Sequence, residues 1–204
     1  MKISYAITVC DELHEVRRLL ELLHKFKREQ DEIIVLLDKT KSSTRIENML
    51  ANDYNISLHV DFFNGHFADW KNKLNSFCTG DYIFQIDADE YPHEDLIADL
   101  PEILESNPTV ELYIVPRVNT VEGITPEHIA TWGWNVNDKG WINFPDYQWR
   151  IYKNSPYIKW KNKVHEIIEG HKTMAQLPAH EYLSLYHPKT IERQELQNNY
   201  YATL

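Results

Sequence analysis

Between Ile3 and Ile86 the chain alternates three times between a short, apolar, β-branched run and a longer stretch with apolar residues at helical spacing, an order that few folds accept. Ile3-Ser4-Tyr5-Ala6-Ile7-Thr8-Val9, Glu32 to Leu37, Ile56 to Phe62 and Tyr82 to Ile86 read as buried strands. Asp11 to Arg28 carries Leu13, Val16, Leu20 and Leu23 on one helical stripe, with Asp11 placed to cap its start and Lys and Arg gathered near its end. A second helix follows the polar turn 38–44 and reaches about Tyr54, and a third runs from His66 to Cys78. This order predicts an α/β sheet covered on both faces, and such sheets bind ligands beyond the carboxyl ends of their strands. Three polar tips fall there: Thr8 to Glu12, Asp38, and Asp87 to Glu90.

After a helix near His93 to Glu105 and a strand over Glu111 to Arg117, the pattern becomes irregular and aromatic, through Trp132, Trp134, Trp141, Trp149 and Trp160. The polar stretch 189–204, with Tyr200, Tyr201 and Leu204 near its end, reads as a final helix or a partner contact. At 204 residues and 43% apolar content the chain can bury one core but is short for two, so a single domain over 1–204 is expected, with lobes meeting near residue 107. Cys10 and Cys78 are too few for a disulfide framework and read as reduced thiols. Thirty-one acidic against twenty-one basic residues give a net charge of -10, which excludes the overall footprint of a nucleic-acid binder and leaves Lys153 to Lys163 as a local basic stretch. No apolar run approaches a membrane span and no signal-like region opens the chain. A soluble cytoplasmic protein is the expectation, at most peripheral to the inner face of a membrane, with a homo-oligomer left open.

Asp87, Asp89 and Glu90 follow an apolar strand, where carboxylates can face a hard cation such as magnesium or manganese. A calcium loop is excluded, because Pro92 and Ala98 stand where an EF-hand needs Gly and Glu. His165-Glu166-Ile167-Ile168-Glu169 is not a zinc-protease motif, since Glu169 occupies the place of the second histidine. Taken alone, an acidic triplet after a strand is more often a solvated loop than a metal site.

Its neighbours change that balance. Ser4 to Glu12 resembles the first strand and following turn of family 2 glycosyltransferases of the GT-A fold. Glu32 to Asp38 resembles their second strand with its terminal aspartate, Lys71-Asn72 their Arg-Asn helix, Gly80-Asp81-Tyr82-Ile83 the next strand, and Asp87-Ala88-Asp89 their Asp-x-Asp motif. Pro145 to Tyr152 and Trp160 to Glu166 are more loosely similar to a bacterial branch that includes lipopolysaccharide-core glucosyltransferases. The resemblance implies a GT-A, Rossmann-like fold: a mostly parallel sheet flanked by helices, with a nucleotide-sugar-binding half over 1–106 and a smaller, irregular acceptor-binding half over 107–204. It implies that Asp38 accepts a hydrogen bond from uracil, that Asp87 holds the ribose or diphosphate side, and that Asp89 ligates Mn2+ or Mg2+. Main-chain groups near Thr8 and Cys10 then line the base, with Glu12, Lys71, Asn72 and Ala88 also on the donor side, and His165 completes the cation site or touches phosphate.

Three residues depart from the family pattern: Thr8 replaces proline, Cys10 an aromatic residue, and Lys39 a small or acidic residue, all of which bear on base preference. An inverting transfer also needs a base for the acceptor hydroxyl. Asp146 is the first candidate, with Glu166 and Glu90 as alternates. Trp134 and Trp141 are candidate acceptor contacts, because indoles stack on sugar rings, although tryptophans serve equally as core. The expected activity is therefore metal-dependent, inverting transfer of a hexose, glucose first, from a UDP-sugar to a saccharide or glycolipid hydroxyl. The alternative is a non-catalytic carbohydrate-binding protein on the same fold. A nucleotidyltransferase is disfavoured, since Thr8 to Glu12 has neither glycine nor a basic residue.

Overall fold

A computed structural model describes the backbone of residues 1–53 and 55–201 and the side chains of that range through residue 198. Tyr54, Leu204 and the side chains of Tyr200 and Tyr201 lie outside the described residues. The first half holds β1 (Ile3–Val9), α1 (Leu13–Phe26), β2 (Glu32–Asp38), α2 (Thr44–Ala51), β3 (Ser57–Asp61), α3 (Phe67–Asn75), β4 (Tyr82–Asp87), β5 (Tyr91–Pro92) and α4 (Glu94–Ser106). The second holds β6 (Leu112–Val115), β7 (Arg117–Glu122), α5 (Pro126–Trp132), β8 (Gln148–Lys153), β9 (Lys159–Lys161), β10 (Ile167–Glu169), β11 (Met174–Gln176), β12 (Leu185–Thr190) and α6 (Ile191–Tyr201).

The central sheet runs β11-β6-β8-β4-β1-β2-β3 and draws strands from both sides of residue 107. Its first-half strands β4, β1, β2 and β3 are all parallel, β8 runs antiparallel between β4 and β6, and β11 is parallel to β6. The expected α/β class with a mostly parallel, helix-flanked sheet is thus observed. The near-continuous apolar runs of its central strands follow from burial on both faces. On β1, Ile3, Tyr5, Ile7 and Val9 pack with Val16, Leu19 and Leu23 of α1 and Leu96 and Leu100 of α4. Ala6 points the other way, into a second cluster with Trp70 and Leu74 of α3, Trp160 of β9 and Ile168 of β10.

Two local expectations change. The stretch Glu111 to Arg117 is not one strand: Pro116, which lacks an N–H donor, separates β6 in the large sheet from β7 in a three-stranded sheet ordered β5-β12-β7. Asp11 does not cap α1, whose N-cap is Glu12; the Asp11 carboxylate instead accepts from the Ser43 N–H at the start of α2, at 3.2 Å. The fold consequence that matters is at the carboxyl edge. Because β2, β1 and β4 are adjacent and parallel, Asp38, Thr8 and Asp87 emerge side by side, with Thr8 and Asp87 directly paired in register.

Candidate functional site

These three strand ends open into a cavity of about 1170 Å³ whose wall includes Asp38, Lys71, Asp87, Ala88, Asp89 and Glu166. At its base Asp87 is surrounded by donors. Arg150 Nη2 lies 2.8 Å from Oδ2, while Gln85 Nε2, Thr8 Oγ1 and Lys71 Nζ lie 3.0, 3.3 and 3.9 Å from Oδ1. Burial favours protonation of the Asp87 carboxyl, but Arg150 and Lys71 outweigh it and hold its pKa well below the usual carboxylate range. Glu90, 1% exposed, receives Arg150 at 2.7 Å and Arg117 at 2.8 Å. Although Glu90 lines the cavity, its Oε1 takes both guanidinium groups, which makes it their counter-ion first and disfavours it as an alternate base.

Asp89 faces a different set. Its Oδ2 lies 3.3 Å from His187 Nε2 and 3.5 Å from Arg193 Nη2. Burial raises the Asp89 pKa, but His187 prevails and brings it down to about 2. His187 is in turn oriented by Asn119, whose Oδ1 lies 2.9 Å from Nδ1 and whose amide donates to Asp146 at 2.8 Å. With its amide nitrogen committed to Asp146, Asn119 turns its carbonyl oxygen to Nδ1, which fixes the ring so that Nε2 faces Asp89.

The chain matches the family model described as Glycosyl transferase family 2 across residues 4–182. The chain belongs to glycosyl transferase family 2. Solved structures of Staphylococcus aureus TarS share the architecture. TarS 1-349 in complex with UDP aligns with a TM-score of 0.60 at 15% identity, over 92% of this chain and 60% of that one. TarS 1-349 in complex with UDP-GlcNAc gives 0.59 at 14% identity, over 93% and 59%. A further structure of TarS gives 0.60 at 14%, over 97% of this chain and 38% of that one, so this chain spans less than two thirds of the proteins it resembles in fold. No curated protein matches the sequence. At such identities the likeness establishes the GT-A architecture alone.

Within this family 2 chain the anticipated residues separate. Thr8, Cys10, Glu12, Asp38, Lys71, Asp87, Ala88, Asp89, Trp134, His165 and Glu166 all line the cavity. Asp38, 6% exposed, uses Oδ1 to accept from the Thr40 and Phe63 N–H groups at 2.8 and 3.1 Å, while Oδ2 faces Cys10 Sγ at 3.8 Å. Burial, then Glu12 and Asp38, push the Cys10 thiol up to about 11. Glu12, itself raised by burial, accepts from the Cys10 N–H at 2.8 Å. Lys71 is not a surface lysine: it is buried, 3.1 Å from Glu166 and 4.4 Å above the Trp160 ring.

Three expectations need correction. Asn72 does not line the cavity; both ends of its amide bond the Trp160 main chain, at 2.9 and 3.0 Å, and tie α3 to β9. Trp141 is also outside the lining, packed on Phe144 and covered by Lys139. Asp146 lies outside it too, with one oxygen held by Arg117 and Asn119 and the other by Gln148, and these partners keep its pKa low against the effect of burial. A carboxylate saturated with donors, behind the residues that line the cavity, is a poor acceptor for a substrate proton.

Sequence reading missed Arg117, Arg150, His187, Lys189 and Arg193, all of which line the cavity. The motif stretch 145–152 contained Arg150, yet nothing local marks it as the partner of Asp87, 63 residues away. His187 and Arg193 reach Asp89 only because β12 pairs with β7 and α6 follows directly.

Proposed function

We propose that the chain is a nucleotide-sugar-dependent, inverting glycosyltransferase that moves a hexose, glucose first, from a UDP-sugar to a saccharide or glycolipid hydroxyl, in the cytoplasm. The observation that carries this reading is the convergence of Asp38, Asp87 and Asp89 on one cavity at the ends of neighbouring parallel strands. Asp38 Oδ2 is the carboxylate oxygen available to a base N–H, as its other oxygen is engaged by the main chain. Asp87, kept ionised by Arg150, is suited to fixing donor hydroxyls.

Among the described residues no group of three or more His, Cys, Asp or Glu side chains is arranged to hold a metal. The fit is nevertheless adequate for a cation that takes one or two protein ligands and completes its shell with water and phosphate oxygens. Asp89 and His187, which both line the cavity, would supply an oxygen and an imidazole nitrogen. A bound Mn2+ or Mg2+ would neutralise charge on the departing diphosphate. Arg193 also borders the cavity and adds positive charge beside Asp89, as does Lys189, whose pKa burial lowers.

Glu166 replaces Asp146 as the proposed base. It lines the cavity with 16% side-chain exposure, and Lys71 holds its carboxylate in place. The acceptor hydroxyl would give its proton to Glu166 as its oxygen attacks the anomeric carbon opposite the leaving diphosphate. Trp134 is retained as an acceptor contact.

Nucleotide release from a panel of nucleotide sugars, with manganese or magnesium, tests the reading. Wild-type protein should release UDP from one donor, and Asp89→Asn should reduce release on the order of a hundredfold or more. Equal release by both proteins would sink the metal role. Glycan binding with no donor binding at all would move the assignment to a carbohydrate-recognition protein.

A further inference from the structure

In a chain of net charge -10, residues 153–163 carry four lysines and no acidic residue. The β9–β10 hairpin arranges three of them. On β9, Lys159 and Lys161 are exposed while Trp160 is buried; on β10, Ile167 and Glu169 are exposed while Ile168 is buried. The register sets Lys161 opposite Ile167 and Lys159 opposite Glu169, and Lys163 is exposed in the connecting turn. Since Trp160 and Ile168 are locked in the core, the outward direction of the lysines is fixed by the pleat.

Several exposed lysines elsewhere are paired, Lys39 with Glu47, Lys73 with Asp61 and Lys139 with Glu181. Lys159, Lys161 and Lys163 form no ion pair among the described residues. Beside them stand apolar groups that the fold leaves uncovered, Ile167 at 37% and Tyr157 at 81% exposure. At the open end of the hairpin the Tyr157 main chain runs against Gly170, at φ +90, where a Cβ would come within 1.8 Å of the Tyr157 carbonyl oxygen.

We propose that this hairpin docks the protein on an anionic lipid surface. Lysines attract anionic headgroups, while an exposed tyrosine and isoleucine between them suit the boundary between headgroups and acyl chains. A soluble polyanion would use the lysines and leave Tyr157 indifferent. The same hairpin ends in the cavity wall at Val164, His165 and Glu166, so docking there sets the cavity mouth at the membrane. The inference gives the proposed glycolipid acceptor a route to the site, and rests on that reading only for this meaning.

Sedimentation with vesicles of phosphatidylcholine, alone or mixed with phosphatidylglycerol, tests it separately from turnover. Wild-type protein should pellet with the mixed vesicles only, and high salt should release it. Combining Lys159→Glu, Lys161→Glu and Lys163→Glu should lower partition on the order of a hundredfold, from about fivefold per lysine. Tyr157→Ser should lower it further, and Lys25→Glu on α1 should not. None of the substituted residues lines the cavity, so circular dichroism and vesicle-free nucleotide release should be unchanged. Failure to bind mixed vesicles, equal binding to neutral vesicles, or wild-type binding by the triple variant would overturn the proposal. So would capture by soluble polyphosphate with indifference to Tyr157→Ser, which would point to a polyanion instead.

Discussion

Arg150 does the most for the site of any single residue, because its guanidinium joins Asp87 and Glu90 at 2.8 and 2.7 Å while only 4% exposed. Removing one member of a buried ion pair leaves the others uncompensated, a cost of about 3–5 kcal/mol. Arg150→Ala should therefore lower the stability by about that amount, as read from urea unfolding, and lose donor binding with it. Glu166→Gln should behave differently: a smaller loss of stability, because buried Lys71 keeps Asp87 at 3.9 Å, donor affinity retained, and kcat reduced by about 10² or more. Asp146→Asn should instead raise the metal concentration needed for half-maximal release, since it loosens Asn119 and with it His187. A larger loss of kcat in Asp146→Asn than in Glu166→Gln, at saturating metal, would return the base to Asp146. The acidic residues of the motifs were legible in sequence because a fixed spacing marks them. Their cationic partners were not, since an arginine on a strand looks the same whether it faces solvent or a carboxylate from the other half of the chain.

Elements carry a second kind of constraint, seen where β1, β2 and β4 begin. Glu32 of β2 accepts from Lys2 Nζ at 2.6 Å, Ser4 Oγ at 2.6 Å and the Thr79 N–H at 2.6 Å, joining three strands at the end opposite the cavity. Burial raises its pKa, but the bonds from Lys2, Ser4 and Thr79 prevail and lower it from 4.5 to about 2. A depressed folded-state pKa means that the contribution is fully present above pH 4.5 and disappears as pH falls through about 2. Glu32→Gln should be less stable than wild type at neutral pH, and its urea midpoint should fall less over that acid window. A parallel fall in both proteins would remove Glu32 from the acid response. Strands and helices up to β4 were readable because local periodicity specifies them. β6 and β7 were fused in that reading because one proline decides which of two sheets each half joins.

At the level of the whole molecule, the sheet interleaves the two halves: β8, from beyond residue 107, sits directly against β4. Composition predicted one core but could not predict this order, since strand pairing across the 60 residues between Asp87 and Gln148 leaves no local trace. The insertion of β8 has a consequence for how the chain is made. Until residue 150 has been synthesised and β8 has docked, the growing N-terminal segment holds Asp87 and Glu90 without the arginine that balances them, and the flank of β4 is an open edge. Residues 1–106 should therefore not reach their native packing alone on the ribosome. A fragment ending at residue 106 should remain aggregation-prone, and adding back 107–204 as a separate peptide should rescue it, as judged by recovery of monodisperse protein with native circular dichroism.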